Sequence, residues 1–225
     1  MRVVISGLAL LGVALAPSAA AFAQTPQERV AQIQEWRENC SDPNPDLRLA
    51  YIEAALAESD PTLSRICLEL ALLSDDPNIR DLGLRAALAR AERLIFELEM
   101  PAAYQAALES ARTDSAREDV KEEWASHAQF MSAMGSRLIL LAKDVSPSEP
   151  ITQWTPLDSD GRPEDSTPIT LTVRAGAVEG VGSTRMYRNR LADVHLDLEI
   201  TDDGALAGGF VHGAGAPFQV RAELF

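Results

Sequence analysis

The chain has 225 residues, of which 46% are hydrophobic and 24% charged, with a formal net charge of −14. That is the composition of a folded protein long enough for one large or two small domains, and it excludes a disordered tail or linker. The acidity argues against nucleic acid and anionic membranes as partners, because phosphate-rich surfaces repel such a chain.

Residues 1–23 read as a secretory signal peptide. Arg2 precedes an apolar run from Val3 to Ala16, Pro17 ends the run, and small residues lead to Ala21-Phe22-Ala23, an A-x-A cleavage site. The run is shorter than the roughly 20 apolar residues that a membrane span needs. No second run of that length follows. The mature chain from Gln24 is therefore expected in the periplasm or outside the cell, without a transmembrane segment. Exported proteins fold under oxidising conditions, so Cys40 and Cys67 are expected to pair as a disulfide. Neither belongs to a Cys-x-x-Cys motif, and no histidine stands near them to suggest redox or metal chemistry.

Gln27 to Asn39 reads as a helix, with Val30, Ile33 and Trp36 on one side. A repeat follows. Pro45, Pro61 and Pro77 stand 16 residues apart, each preceded by a capping residue: Asn44, Asp60 and Asp76. An Asx cap accepts an orphan N–H, and proline has none to leave unsatisfied, so each pair predicts a helix start. Aligned on the prolines, Leu47, Leu63 and Ile79 recur, as do Leu56, Leu72 and Leu88, on one helical face. In outline the pattern resembles a short helical-hairpin repeat of the HEAT kind, at a shorter period than usual. The resemblance implies stacked antiparallel helices and no particular function. Ala91 to Glu99 is expected to continue the last of these helices, and Pro101 to start another reaching about Ala111. Asp114 then caps a helix from Arg117 to Met134, with His127 on its apolar side as a hydrogen-bonded core histidine. Residues 24–134 thus make up a helical, repeat-like domain.

From residue 137 to 225 the period changes from helical spacing to alternation. Ile169, Leu171 and Val173 alternate with threonines, and Phe218, Val220, Ala222 and Leu224 alternate with polar residues, as in half-buried antiparallel strands. Leu138–Val145, Ile151–Leu157, Ala177–Ser183, Leu191–Ile200 and Ala205–His212 complete a set that suggests a small antiparallel sandwich or barrel. The expected class is α+β: an antiparallel helical array followed by that β domain.

Three clusters merit weighing as sites. His195 and His212 flank an Asp202-Asp203-Gly204 turn and could face each other to bind zinc or copper. A three-residue turn with Gly204 left-handed instead sets Leu196 against Phe210 and Ile200 against Leu206, and puts the histidines on opposite sides. Burial of one apolar face favours the second register, so no metal is expected there. Asp158 and Asp160, beside Gly161, resemble part of a calcium loop but lack its full ligand pattern. Arg185, Tyr187, Arg188 and Arg190 concentrate positive charge in an acidic protein. As an inter-strand loop they form a candidate binding surface for a protein, an anionic glycan or a lipid head group.

Catalytic patterns are lacking. Gly180-Val181-Gly182-Ser183-Thr184 is neither a nucleophile elbow nor a phosphate loop, and no cofactor motif occurs. The sequence therefore points to an exported, non-enzymatic binding or scaffolding protein of the cell envelope. The alternative is a hydrolase using a pair of carboxylates on envelope glycan or peptide, which only geometry could reveal.

Overall fold

A computed structural model describes residues 25–224. Within that span residues 159, 164–166, 188, 189 and 214, and the side chains of residues 133, 185–187, 190 and 191, lie outside the description. The signal-peptide segment expected at 1–23 also lies outside it.

Four helices come first: α1 (Pro26–Asn39), α2 (Pro45–Ala57), α3 (Pro61–Leu72) and α4 (Pro77–Arg90). All begin at proline, and the side chains of Thr25, Asn44, Asp60 and Asp76 accept N-terminal amides. Each such cap stabilises its helix by about 1 kcal/mol. Helices α2, α3 and α4 pack in chain order, with α1 against α2 and α3. The expected disulfide is present, with Cys40 at the end of α1 and Cys67 in the middle of α3. Ile52, Ala55, Ala71 and Ile79 pack around it as a small separate core.

The stretch after α4 departs from expectation. Arg93–Glu99 is strand β1, not a continuation of the helix. Leu94, Phe96 and Leu98 are buried and the intervening residues are exposed, which is strand periodicity. A helical excursion follows: α5 (Ala102–Ser110), α6 (Asp114–Glu123) and α7 (Ala125–Ala133). The single helix expected from Arg117 to Met134 is broken at Trp124, the C-cap of α6 and the N-cap of α7.

Seven further strands follow: β2 (Arg137–Asp144), β3 (Ile151–Leu157), β4 (Ile169–Arg174), β5 (Ala177–Tyr187), β6 (Arg190–Ile200), β7 (Leu206–His212) and β8 (Phe218–Ala222). All neighbours are antiparallel in chain order, and β8 returns to β1 through Glu97↔Arg221, Leu98↔Val220 and Glu99↔Gln219. The sheet is thus a closed barrel, and its first strand comes from within the span expected to be helical.

Eight strands enclose a space that side chains can fill, and here they fill it. Trp154, Phe96, Phe210, Leu138, Leu140, Leu171, Leu196 and Leu198 all lie in one buried core. Trp154 Nε1 donates to Thr152 Oγ1 at 2.8 Å, so the indole carries no unsatisfied donor into that core. Leu68 and Leu72 of α3 and Leu84 and Leu88 of α4 join the same core from the end of the barrel where β1 starts. Phe130 and Met134 join it from the opposite end, in and just after α7. No helix among the described residues is long and apolar enough to cross a membrane.

Candidate functional site

Side chains of the described residues fill the barrel interior. Its inward positions are occupied by large apolar side chains, and helices pack over both ends. Gly180 shows how tight the filling is: a Cβ there would lie 2.8 Å from side-chain atoms of Leu171 and Leu196. A lumen of this kind does not admit a ligand.

At the α7 end, aromatic rings form a chain. His127 stacks between Trp124 and Phe218 at centroid distances of 4.9 and 5.1 Å, and its Nε2 donates to the Ala216 carbonyl at 3.3 Å. It is the hydrogen-bonded packing histidine that its position on the helix suggested. Phe130 packs 4.6 Å from His212, whose Nε2 is buried without a hydrogen-bond partner among the described residues. Burial pushes the His212 imidazole below its ordinary pKa.

The histidine register is the one that apolar burial favoured. Leu196 pairs with Phe210 and Ile200 with Leu206, and Gly204 is left-handed with φ 84°. His195 pairs with Val211 on the exposed side, while His212 pairs with Val194 on the buried side. Among the described residues no three His, Cys, Asp or Glu side chains gather as a metal-ligating group. Asp158 Oδ1 instead accepts the amides of Asp160 and Arg162, each at 2.9 Å, and so organises its own turn.

The described backbone of the arginine cluster is strand rather than inter-strand loop. Strand β5 runs on to Tyr187 and β6 begins at Arg190, the two residues paired, with a register shift after Thr184. Arg188 lies outside the described residues, as do the side chains of Arg185, Tyr187 and Arg190. The backbone sets this hairpin at the same end of the barrel as α7, which packs beside β5.

Among the outer recesses of the described residues, two have the most room. One, of about 720 Å³, overlies the closing seam, lined by Arg93, Ile95, Glu97, Glu99, Arg221 and Glu223 among others. Three of its five charged groups are paired: Arg221 holds Asp203 at 2.6 Å and Glu223 at 3.1 Å, and Arg137 holds Glu97 at 3.4 Å. No aspartate or glutamate among the described residues is buried, so none has the apolar surroundings that keep a catalytic acid protonated.

The other recess runs between α2 and α4 in two connected parts of about 310 and 390 Å³, which share Glu53 and Leu82. Leu49, Leu56, Leu82, Ala86 and Ala89 give it an apolar lining. Three of its four charged groups are engaged with neighbours. Asp81 accepts the amides of Ala175 and Gly176, Arg85 Nε donates to the Asp81 carbonyl, and Arg90 donates to the Leu56 carbonyl and the Ser64 hydroxyl. Glu53, common to both parts, has no hydrogen bond or ion pair among the described residues.

Sequence reading missed this groove. The proline-aligned repeat marks the inward face of α4 through Ile79 and Leu88, but on α2 the aligned Leu47 is exposed and Ile52 and Ala55 are buried instead. That the remaining faces of α2 and α4 meet across α3 follows only from the tertiary arrangement. Comparison with protein-family models, curated proteins and solved structures found no match to this chain.

Proposed function

We propose that this is an exported, non-enzymatic binding or scaffolding protein of the cell envelope, in which the barrel is a rigid mount and the helical array the contact surface. The observation that carries the reading is the filled and capped barrel, which among the described residues leaves no internal site for a ligand or for a water-excluded reaction. The Cys40–Cys67 disulfide supports folding in an oxidising compartment, as the N-terminal signal-like segment does. The arginine hairpin is a second contact surface on the strength of its charge.

Affinity capture from cell-envelope extract tests the reading, with the oxidised chain from Gln24 as bait. The controls are an Ala89→Arg variant, which fills the groove, and a variant with Arg185, Arg188 and Arg190 all changed to glutamine. A partner held by the parent and lost by either variant is the expected result. Equal recovery by all three baits would remove both surfaces from consideration.

The recess over the seam favours the alternative, a carboxylate-dependent hydrolase, because Glu97 and Glu99 project from one face of β1 into it. Exposure of both residues argues against it. Hydrolysis of envelope glycan or peptide that disappears in Glu97→Gln and Glu99→Gln variants would reverse the order of the two readings.

A further inference from the structure

Resting on the binding reading, we propose that the groove between α2 and α4 takes a short basic and aliphatic peptide segment of a partner protein, with Glu53 holding its lysine or arginine. Three features fix that chemistry. The first is length: the groove's lining on α4 runs from Asn78 to Arg90, about 18 Å at 1.5 Å per residue, room for about five residues of extended peptide. A small metabolite would use only part of it.

The second is the lining. Leu49, Leu56 and Leu82 are half-buried, Ala86 is buried, and Ala89 is half-buried, so aliphatic side chains laid between the helices lose water on both sides. Small residues on α4 keep the groove open beside the leucines of α2.

The third is charge. Arg85 and Arg90 direct donors to groups of the array itself, and Asp81 is committed to the β4–β5 turn. Glu53 is left at the junction of the two parts with nothing to bind, on a chain whose net charge of −14 already draws cationic partners. A cation placed among aliphatic residues answers both the carboxylate and the lining.

The test uses the oxidised chain from Gln24 and a fluorescein-labelled, amidated peptide, Gly-Leu-Ile-Lys-Leu-Ile-Gly, followed by fluorescence anisotropy. A second peptide has glutamine in place of lysine. The lysine peptide is expected to bind about tenfold more tightly than the glutamine peptide, the difference that a charge-assisted hydrogen bond makes. Glu53→Gln is expected to erase that preference while leaving residual binding. Ala89→Arg is expected to abolish binding, and Ala57→Trp, at an exposed position on the groove wall, provides a second block should the first disturb folding by circular dichroism. Equal binding of both peptides, a preference that survives Glu53→Gln, or no binding at all would overturn the proposal. So would self-association of the parent that Ala89→Arg abolishes, since the occupant would then be a second copy. Failure here with an envelope partner still captured would discard this ligand chemistry alone, whereas failure of both experiments would discard the binding reading.

Discussion

The helical array and the barrel reach stability by different routes. The array is local: prolines start its helices, side chains three or fewer residues away cap them, and each helix packs on its neighbours in the chain. Its weakest member, α1, has no buried residue. The Cys40–Cys67 bridge and the Arg29–Asp60 ion pair hold it in place. The barrel is non-local: its single core collects side chains from every strand, from α3 and α4 at one end and from Phe130 and Met134 at the other. Local order tolerates fraying at its ends, whereas a shared core succeeds or fails as one unit.

Substituting Trp154 should break this contrast most severely. The residue is fully buried at the centre of the barrel, and Trp154→Ala is expected to cost about 4 kcal/mol through lost burial and the cavity left behind. Chemical denaturation should show strands and helices melting together, because α3 and α4 share that core. Removing the disulfide with Cys40→Ser and Cys67→Ser is expected to cost about 3 to 4 kcal/mol through the freed loop. Its damage should stay local: hydrogen exchange should accelerate in α1 and leave the strands protected.

The joint between the regions can be probed at Asp81. Its carboxylate accepts the amides of Ala175 at 3.1 Å and Gly176 at 2.6 Å, two left-handed residues in the turn between β4 and β5. Asp81→Ala should cost about 1 kcal/mol, as expected when one exposed and one part-buried amide lose a charged acceptor. Faster exchange at that turn and along α4, with α1 unchanged, would identify the joint.

Acid should separate the regions by pH. The hydrogen-bonded Arg29 guanidinium, aided by the amides of Thr62 and Leu63, holds the Asp60 carboxyl down at about 2. Its folded pKa is below its unfolded value of about 4. The stability it contributes to the array is therefore complete above that value and lost as pH falls towards 2. His212 is depressed by burial from an ordinary value of about 6.5. Its contribution to the barrel mouth is complete above about pH 6.5 and lost as pH falls through the lower folded value. Exchange measured down a pH series should thus loosen α7 and β7 before α1, and His212→Gln should remove the earlier step. Simultaneous loosening would contradict the separation.

The same contrast explains what could be read in advance. Asn44-Pro45, Asp60-Pro61 and Asp76-Pro77 announce their helices because cap and proline act within one turn. The β6–β7 register was legible because only one pairing buries Leu196, Phe210, Ile200 and Leu206 together. Strand β1 was missed although Leu94, Phe96 and Leu98 stand at every second position, because Ile95 between them blurs the alternation. Arginine, leucine and glutamate are good helix formers, and no glycine or proline separates them from α4. Pairing with β2 and β8 overrides that preference. Barrel closure and the α2–α4 groove depend on residues far apart in sequence, which no local pattern encodes.

The seam between β1 and β8 bears on how the protein matures. The array can be assembled once Arg90 is free, but the sheet cannot shut until Ala222 arrives, since the earliest strand awaits the last. Until then β1 and the newest strand present bare backbone edges, each a template for a neighbouring chain. Closure is thus a timing device as well as a bond: a copy cut short before Phe218 keeps two such edges, and its fate is aggregation or proteolysis rather than a smaller barrel.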